Sequence, residues 1–120
     1  MPRCLMLSMQ PDRTAIAGLI RTLGIEVAET DDRHMVIAEI AVRKWDAVMV
    51  ESVLPKQSGQ DFIKTVSELK TSCRKFILLC DRYDEFPEIY FSVFGITGVM
   101  PRPLNSVQKL KAILHTYRII

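Results

Sequence analysis

The chain is expected to fold as an open, doubly wound parallel sheet of five strands in the order 2-1-3-4-5, with helices on both faces. Three observations carry this. Five short apolar runs alternate with amphipathic stretches along the whole chain, the pattern of repeated strand–helix units. The third run, Ala47 to Val50, is apolar throughout and ends on Glu51, with Pro55 and Gly59 in the loop beyond. Such a run suits a strand covered on both faces. The length, 120 residues, suits one domain, residues 1–120. Right-handed crossovers leave few other strand orders.

Each element can be placed in turn. Cys4 to Leu7 is the first strand. Pro11 suits the first position of a helix, in which Ile16, Leu19, Ile20 and Leu23 recur at helical spacing and Gly24 is the stop. Ile25 to Ala28 is a weak second strand. Asp31 and Asp32 are candidate caps for a helix from Arg33 to Lys44. Trp45 to Glu51 is the third strand. A third helix spans Asp61 to Lys70, with Phe62, Ile63, Val66 and Leu69 on one face. Phe76 to Cys80 is the fourth strand. Pro87 opens a fourth helix that ends near Gly95, and Gly98 to Met100 is a short fifth strand. Asn105-Ser-Val-Gln108 resembles a capping box before a last helix carrying Val107, Leu110, Ile113, Leu114 and Tyr117.

Composition removes several functions. Hydrophobic residues make up 48% and charged residues 25% of the chain, as in ordinary globular domains. The net charge is +2 and the Lys and Arg residues are scattered, so no nucleic-acid footprint is present. No apolar run reaches the ~18 residues that span a bilayer, and Pro11 follows the first run too closely for a secretory signal. No membrane partner is expected, and the cytoplasm is the expected compartment. Cys4, Cys73 and Cys80 match no zinc or redox spacing and read as reduced thiols. His34 and His115 lie in helical patterns away from them. No metal and no cofactor are therefore expected.

In an open parallel sheet, chemistry gathers at the carboxyl ends of the strands, where Glu51 stands. The landmarks around it have a characteristic spacing. Asp46 lies five residues before Glu51, Pro55 four after it and Gly59 eight after it, and Arg102-Pro103 follows the fifth strand. On five strand–helix units in this order, the chain resembles the receiver domain of two-component response regulators, a flavodoxin-like (CheY-like) fold. The resemblance implies Mg-dependent phosphorylation of an Asp at the end of the third strand. Position by position, the parts have changed. Glu51 stands for the phospho-accepting Asp. Ser8 and Met9 stand for the acidic pair that holds Mg. Cys80 stands for a Thr or Ser, with Asp81 after it, and Arg102 stands for a Lys. Val99 stands for the switching aromatic. By the same resemblance, the Arg102-Pro103 peptide is expected to be cis.

Mg requires hard oxygen ligands, which a Met thioether is not. Phosphoryl transfer depends on positioning and on metal neutralisation of charge. No catalytic residue and no enzymatic activity are therefore expected. Glu51 has three open readings: a solvated carboxylate, an ion pair with Arg102, or a partial mimic of the phosphorylated state. A Glu has fewer oxygens and less charge than a phosphoryl group. Asp81 would join Glu51 and Arg102 in a polar cluster if the three strand ends meet.

Five of the nine aromatics are Tyr83, Phe86, Tyr90, Phe91 and Phe94. Ile89, Tyr90, Phe91, Val93 and Phe94 make the fourth helix apolar nearly all round, wider than the single stripe a surface helix needs. It is either a thick core or a contact patch. The family commonly uses the face of its fourth helix, fifth strand and fifth helix for partners and homodimers. The resemblance thus implies partner-binding residues Tyr90, Phe91, Phe94, Pro101, Lys109 and Lys111. The function expected is that of a stand-alone pseudo-receiver in signal transduction, acting by phosphorylation-independent contact with another signalling protein. The alternatives are a phospho-accepting receiver with unusual site residues and a small-molecule-sensing receiver-like domain.

Overall fold

Alternation along each strand decides which layer a side chain joins. The computed structural model describes residues 1–69, 71–81 and 89–120, and for Ile89 and Tyr90 the backbone alone. Among these residues the order is β1 (Arg3–Leu7), α1 (Arg13–Arg21), β2 (Glu26–Thr30), α2 (Arg33–Val42), β3 (Ala47–Glu51), α3 (Gly59–Ser67), β4 (Phe76–Cys80), α4 (Ile89–Phe94), β5 (Gly98–Pro101) and α5 (Val107–Thr116). The strands form one parallel sheet in the order β2-β1-β3-β4-β5, as expected.

Two cores sandwich the sheet. Leu5, Leu7, Val48, Val50, Phe76, Leu78 and Cys80 face α2, α3 and α4, where they meet Val36, Ile40, Phe62, Ile63 and Val66. Cys4, Met6, Ala47, Met49, Ile77 and Leu79 face α1 and α5, where they meet Ile16, Ile20, Leu110 and Leu114. The centre strands β3 and β4 are buried at every position, as parallel strands with helices on both sides require.

Element ends differ from the sequence reading for local reasons. The α1 helix starts at Arg13 with Asp12 as N-cap, two residues beyond Pro11. Gly24, at φ +82°, takes the left-handed turn after it. Asp32 caps α2 by accepting from the His34 N–H. The third helix begins at Gly59 because Ser58 caps it, accepting from the Asp61 N–H at 3.2 Å. It ends at Ser67, so Leu69 lies beyond the amphipathic stripe and is exposed. Trp45 precedes β3. Its ring is buried beneath the Arg3 guanidinium, 4.7 Å from the ring centre. The box at Asn105 is displaced by one residue. Ser106 caps α5 by accepting from the Lys109 N–H, so the third helical position holds a Lys rather than the Gln the box needs. Pro87 lies outside the described residues, as do Tyr83, Phe86 and Lys70.

Gly59 brings α3 against the end of β3. A Cβ there would lie 2.0 Å from the Glu51 carbonyl oxygen, and the Gly59 N–H donates to the Ser52 carbonyl at 2.8 Å. This close approach sets the backbone from which the Glu51 side chain departs.

Candidate functional site

Glu51 shares its alternation with Ala47 and Met49, so its side chain leaves the sheet on the α1–α5 side. It is 2% exposed. A buried carboxylate must be paired, and Arg102 pairs with it. Arg102 follows β5, and its backbone N–H is fixed on the Cys80 carbonyl at 2.7 Å. Its Nη1 donates to Glu51 Oε2 at 2.8 Å and its Nη2 to Glu51 Oε1 at 2.6 Å. This is the bidentate fork that the planar guanidinium favours. Of the three readings of Glu51, the geometry is that of the ion pair. The solvated carboxylate is excluded by burial.

Asp12 grips the other edge of the same guanidinium. Nε donates to Asp12 Oδ2 at 2.7 Å and Nη2 to Asp12 Oδ1 at 3.0 Å. The Asp12 side chain makes no capping hydrogen bond to α1; Arg102 takes it instead. The Arg102 hydrogen bonds hold the Asp12 carboxyl below the usual range, against a smaller opposing effect of burial. The Glu51 and Asp12 carboxylates raise the Arg102 pKa above the usual Arg value. Asp81 is a distant third partner, 3.4 Å from Nη1 and largely exposed.

Ser8 is fully buried and its hydroxyl donates to Glu51 Oε1 at 3.1 Å, while accepting from the Gln10 N–H. Met9 points outward and is half exposed. The Cys80 side chain is buried in the core on the opposite face of the sheet from Glu51. Ser8, Glu51 and Arg102 therefore converge, whereas Met9 and Cys80 do not join them. Val99 is buried, and its N–H donates to the Tyr117 hydroxyl at 3.2 Å. The Arg102-Pro103 peptide is cis.

These residues do not fit Mg. At the two positions after β1 stand a hydroxyl already spent on Glu51 and an outward thioether, and both Glu51 oxygens are taken by Arg102. Among the described residues no group of three His, Cys, Asp or Glu side chains is placed to hold a metal ion. Asp12 was not among the residues singled out from the sequence. Its only signal is an acidic residue at a helix start just beyond a strand's carboxyl end.

Among its described side chains, the helix 4 face is more closed than the composition suggests. Phe91 and Phe94 are half-buried and pack on the core against α3 and the sheet, so they are not freely displayed. Val93 is exposed. The Tyr90 side chain lies outside the described residues. Lys109 is tied down, its Nζ donating to the Pro101 carbonyl at 2.9 Å and the Pro103 carbonyl at 2.7 Å. Lys111 is exposed and Pro101 partly so. A groove of about 260 Å³ runs between β5 and α5, lined by Val99, Pro101, Ala112, Ile113 and Tyr117 among others. All three cysteines are buried, and burial is the main cause that pushes the Cys4 thiol up to about 12. No described helix is long and apolar enough to cross a membrane.

No protein-family model and no curated protein matches the chain. Solved structures do. The chemotaxis response regulator CheY4 of Vibrio cholerae is 19% identical, with a TM-score of 0.81 over 100% of this chain and 99% of that one. A two-component response regulator from Clostridium difficile is 17% identical, with a TM-score of 0.81 over 98% and 96%. The receiver domain of a sensor histidine kinase from Pseudomonas aeruginosa is 19% identical, with a TM-score of 0.80 over 97% and 96%; it has a magnesium ion coordinated in its active site cleft. The chain thus has the receiver fold, and at these identities the likeness speaks for the fold alone.

Proposed function

We propose that the chain is a regulatory module of signal transduction that docks onto another signalling protein and takes up no phosphoryl group at Glu51. The observation that carries this is the Arg102 fork, which holds both oxygens of the only carboxylate at the end of β3. An attacking carboxylate needs a free oxygen in line with the phosphorus and a cation to neutralise charge. Glu51 has neither. The signalling role follows from the shared fold with response regulators and is an analogy of fold.

The docking surface is the face of α4, β5 and α5, where Val93 and Lys111 are exposed and Pro101 lines the groove between β5 and α5. Phe91, Phe94 and Lys109 support that face from within. A second copy of the chain is one partner this face admits. Incubation with acetyl phosphate and Mg, read by intact mass, is expected to leave the protein unmodified. Capture of its native partners is expected to survive Glu51→Gln and to fall at least tenfold in a Val93→Glu, Lys111→Glu double variant. A phosphoryl adduct that disappears in Glu51→Gln would establish the phospho-accepting alternative instead.

A further inference from the structure

We infer that the Arg102 guanidinium serves as the resident cation of this pocket, neutralising the carboxylates that face it. Three carboxylates from three different segments turn toward one point: Asp12 at the start of α1, Glu51 at the end of β3 and Asp81 after β4. All three guanidinium nitrogens are used on them, at 2.6 to 3.0 Å for Asp12 and Glu51 and 3.4 Å for Asp81. Like charges this close repel unless a cation lies between them.

The arrangement differs from a metal site in two ways. A Mg ion requires near-octahedral oxygens at about 2.0–2.1 Å, whereas the fork spans longer, planar contacts. A metal also exchanges with solvent. Arg102 is covalently attached, its backbone N–H is bonded to the Cys80 carbonyl, and the loop on either side is pinned through Lys109 to the Pro101 and Pro103 carbonyls. The pocket therefore carries its counter-charge permanently. It should be indifferent to the supply of divalent ions and to chelators.

Thermal unfolding tests this, followed by circular dichroism in EDTA, in millimolar Mg or Ca, and in sodium chloride of matched ionic strength. The wild type is expected to melt at one temperature in all of them. Arg102→Ala is expected to melt lower and to be raised by Mg or Ca beyond the matched monovalent salt. Arg102→Lys, which retains one ammonium, is expected to fall between the two. A wild type stabilised specifically by Mg would overturn the inference. So would an Arg102→Ala protein, folded or unfolded, that no divalent ion stabilises or refolds. The inference deepens the docking proposal, and the two fail separately. A phosphoryl adduct on Glu51 removes the docking proposal; a Mg-stabilised wild type removes the resident cation even when no adduct forms.

Discussion

Within the pocket, the two carboxylates on Arg102 differ in surroundings and in what they contribute. Glu51 is enclosed and held by two donors, the guanidinium and the Ser8 hydroxyl. Leaving either member of a buried pair alone would be costly. Asp12 is partly exposed, and its carboxyl pKa is lowered chiefly by the Arg102 hydrogen bonds. A group with a depressed folded pKa adds stability above its unfolded value, about 3.9 for Asp. That stability disappears as the pH falls through the lower folded value. Glu29 acts in the same direction, lowered first by the Thr14 hydroxyl and then by Arg13 and Arg21. Asp12→Asn is therefore expected to lose less stability than the wild type between about pH 5 and pH 3. Urea midpoints read from the fluorescence of Trp45 would measure it; equal losses in both proteins would refute the assignment.

Among the elements, β5 and α5 depend on one missing side chain. A Cβ on Gly98 would lie 2.1 Å from Cζ of Tyr117, whose hydroxyl accepts the Val99 N–H. Gly98→Ala must displace that ring, at a cost of about 1–3 kcal/mol for overpacking. In a Tyr117→Ala background the same change is expected to cost much less, a coupling that a double-mutant cycle in urea would read. Additive losses would show that the ring is not what Gly98 accommodates. Local chemistry made the strands legible from sequence, because fully covered strands are apolar runs. Helix ends were less so. Ser58 and Ser106 compete with neighbouring residues as caps, and only the tertiary position of each helix decides which wins. The aromatic α4 was ambiguous for a similar reason, since composition does not say how much of Phe91 and Phe94 the α3 side will cover.

At the scale of the whole molecule, the strand order and the two-sided core could be read from the alternation of elements. Half of the site could be read as well. Glu51 and Arg102 stand at strand ends whose neighbours the topology fixes. Asp12 could not be found this way, because its role depends on a partner 90 positions further along the chain. That separation has a consequence for folding. The link between Asp12 and Arg102 closes a loop of most of the chain, and loop closure of that length is met only once the intervening strands are in place. The clamp should therefore be absent from the rate-limiting barrier and form on its far side. Arg102→Ala is expected to leave the refolding rate nearly unchanged and to speed unfolding by roughly tenfold or more in stopped-flow chevrons. On this account the guanidinium acts as a latch on the finished structure, prolonging the lifetime of the folded state while contributing nothing to the speed of its assembly.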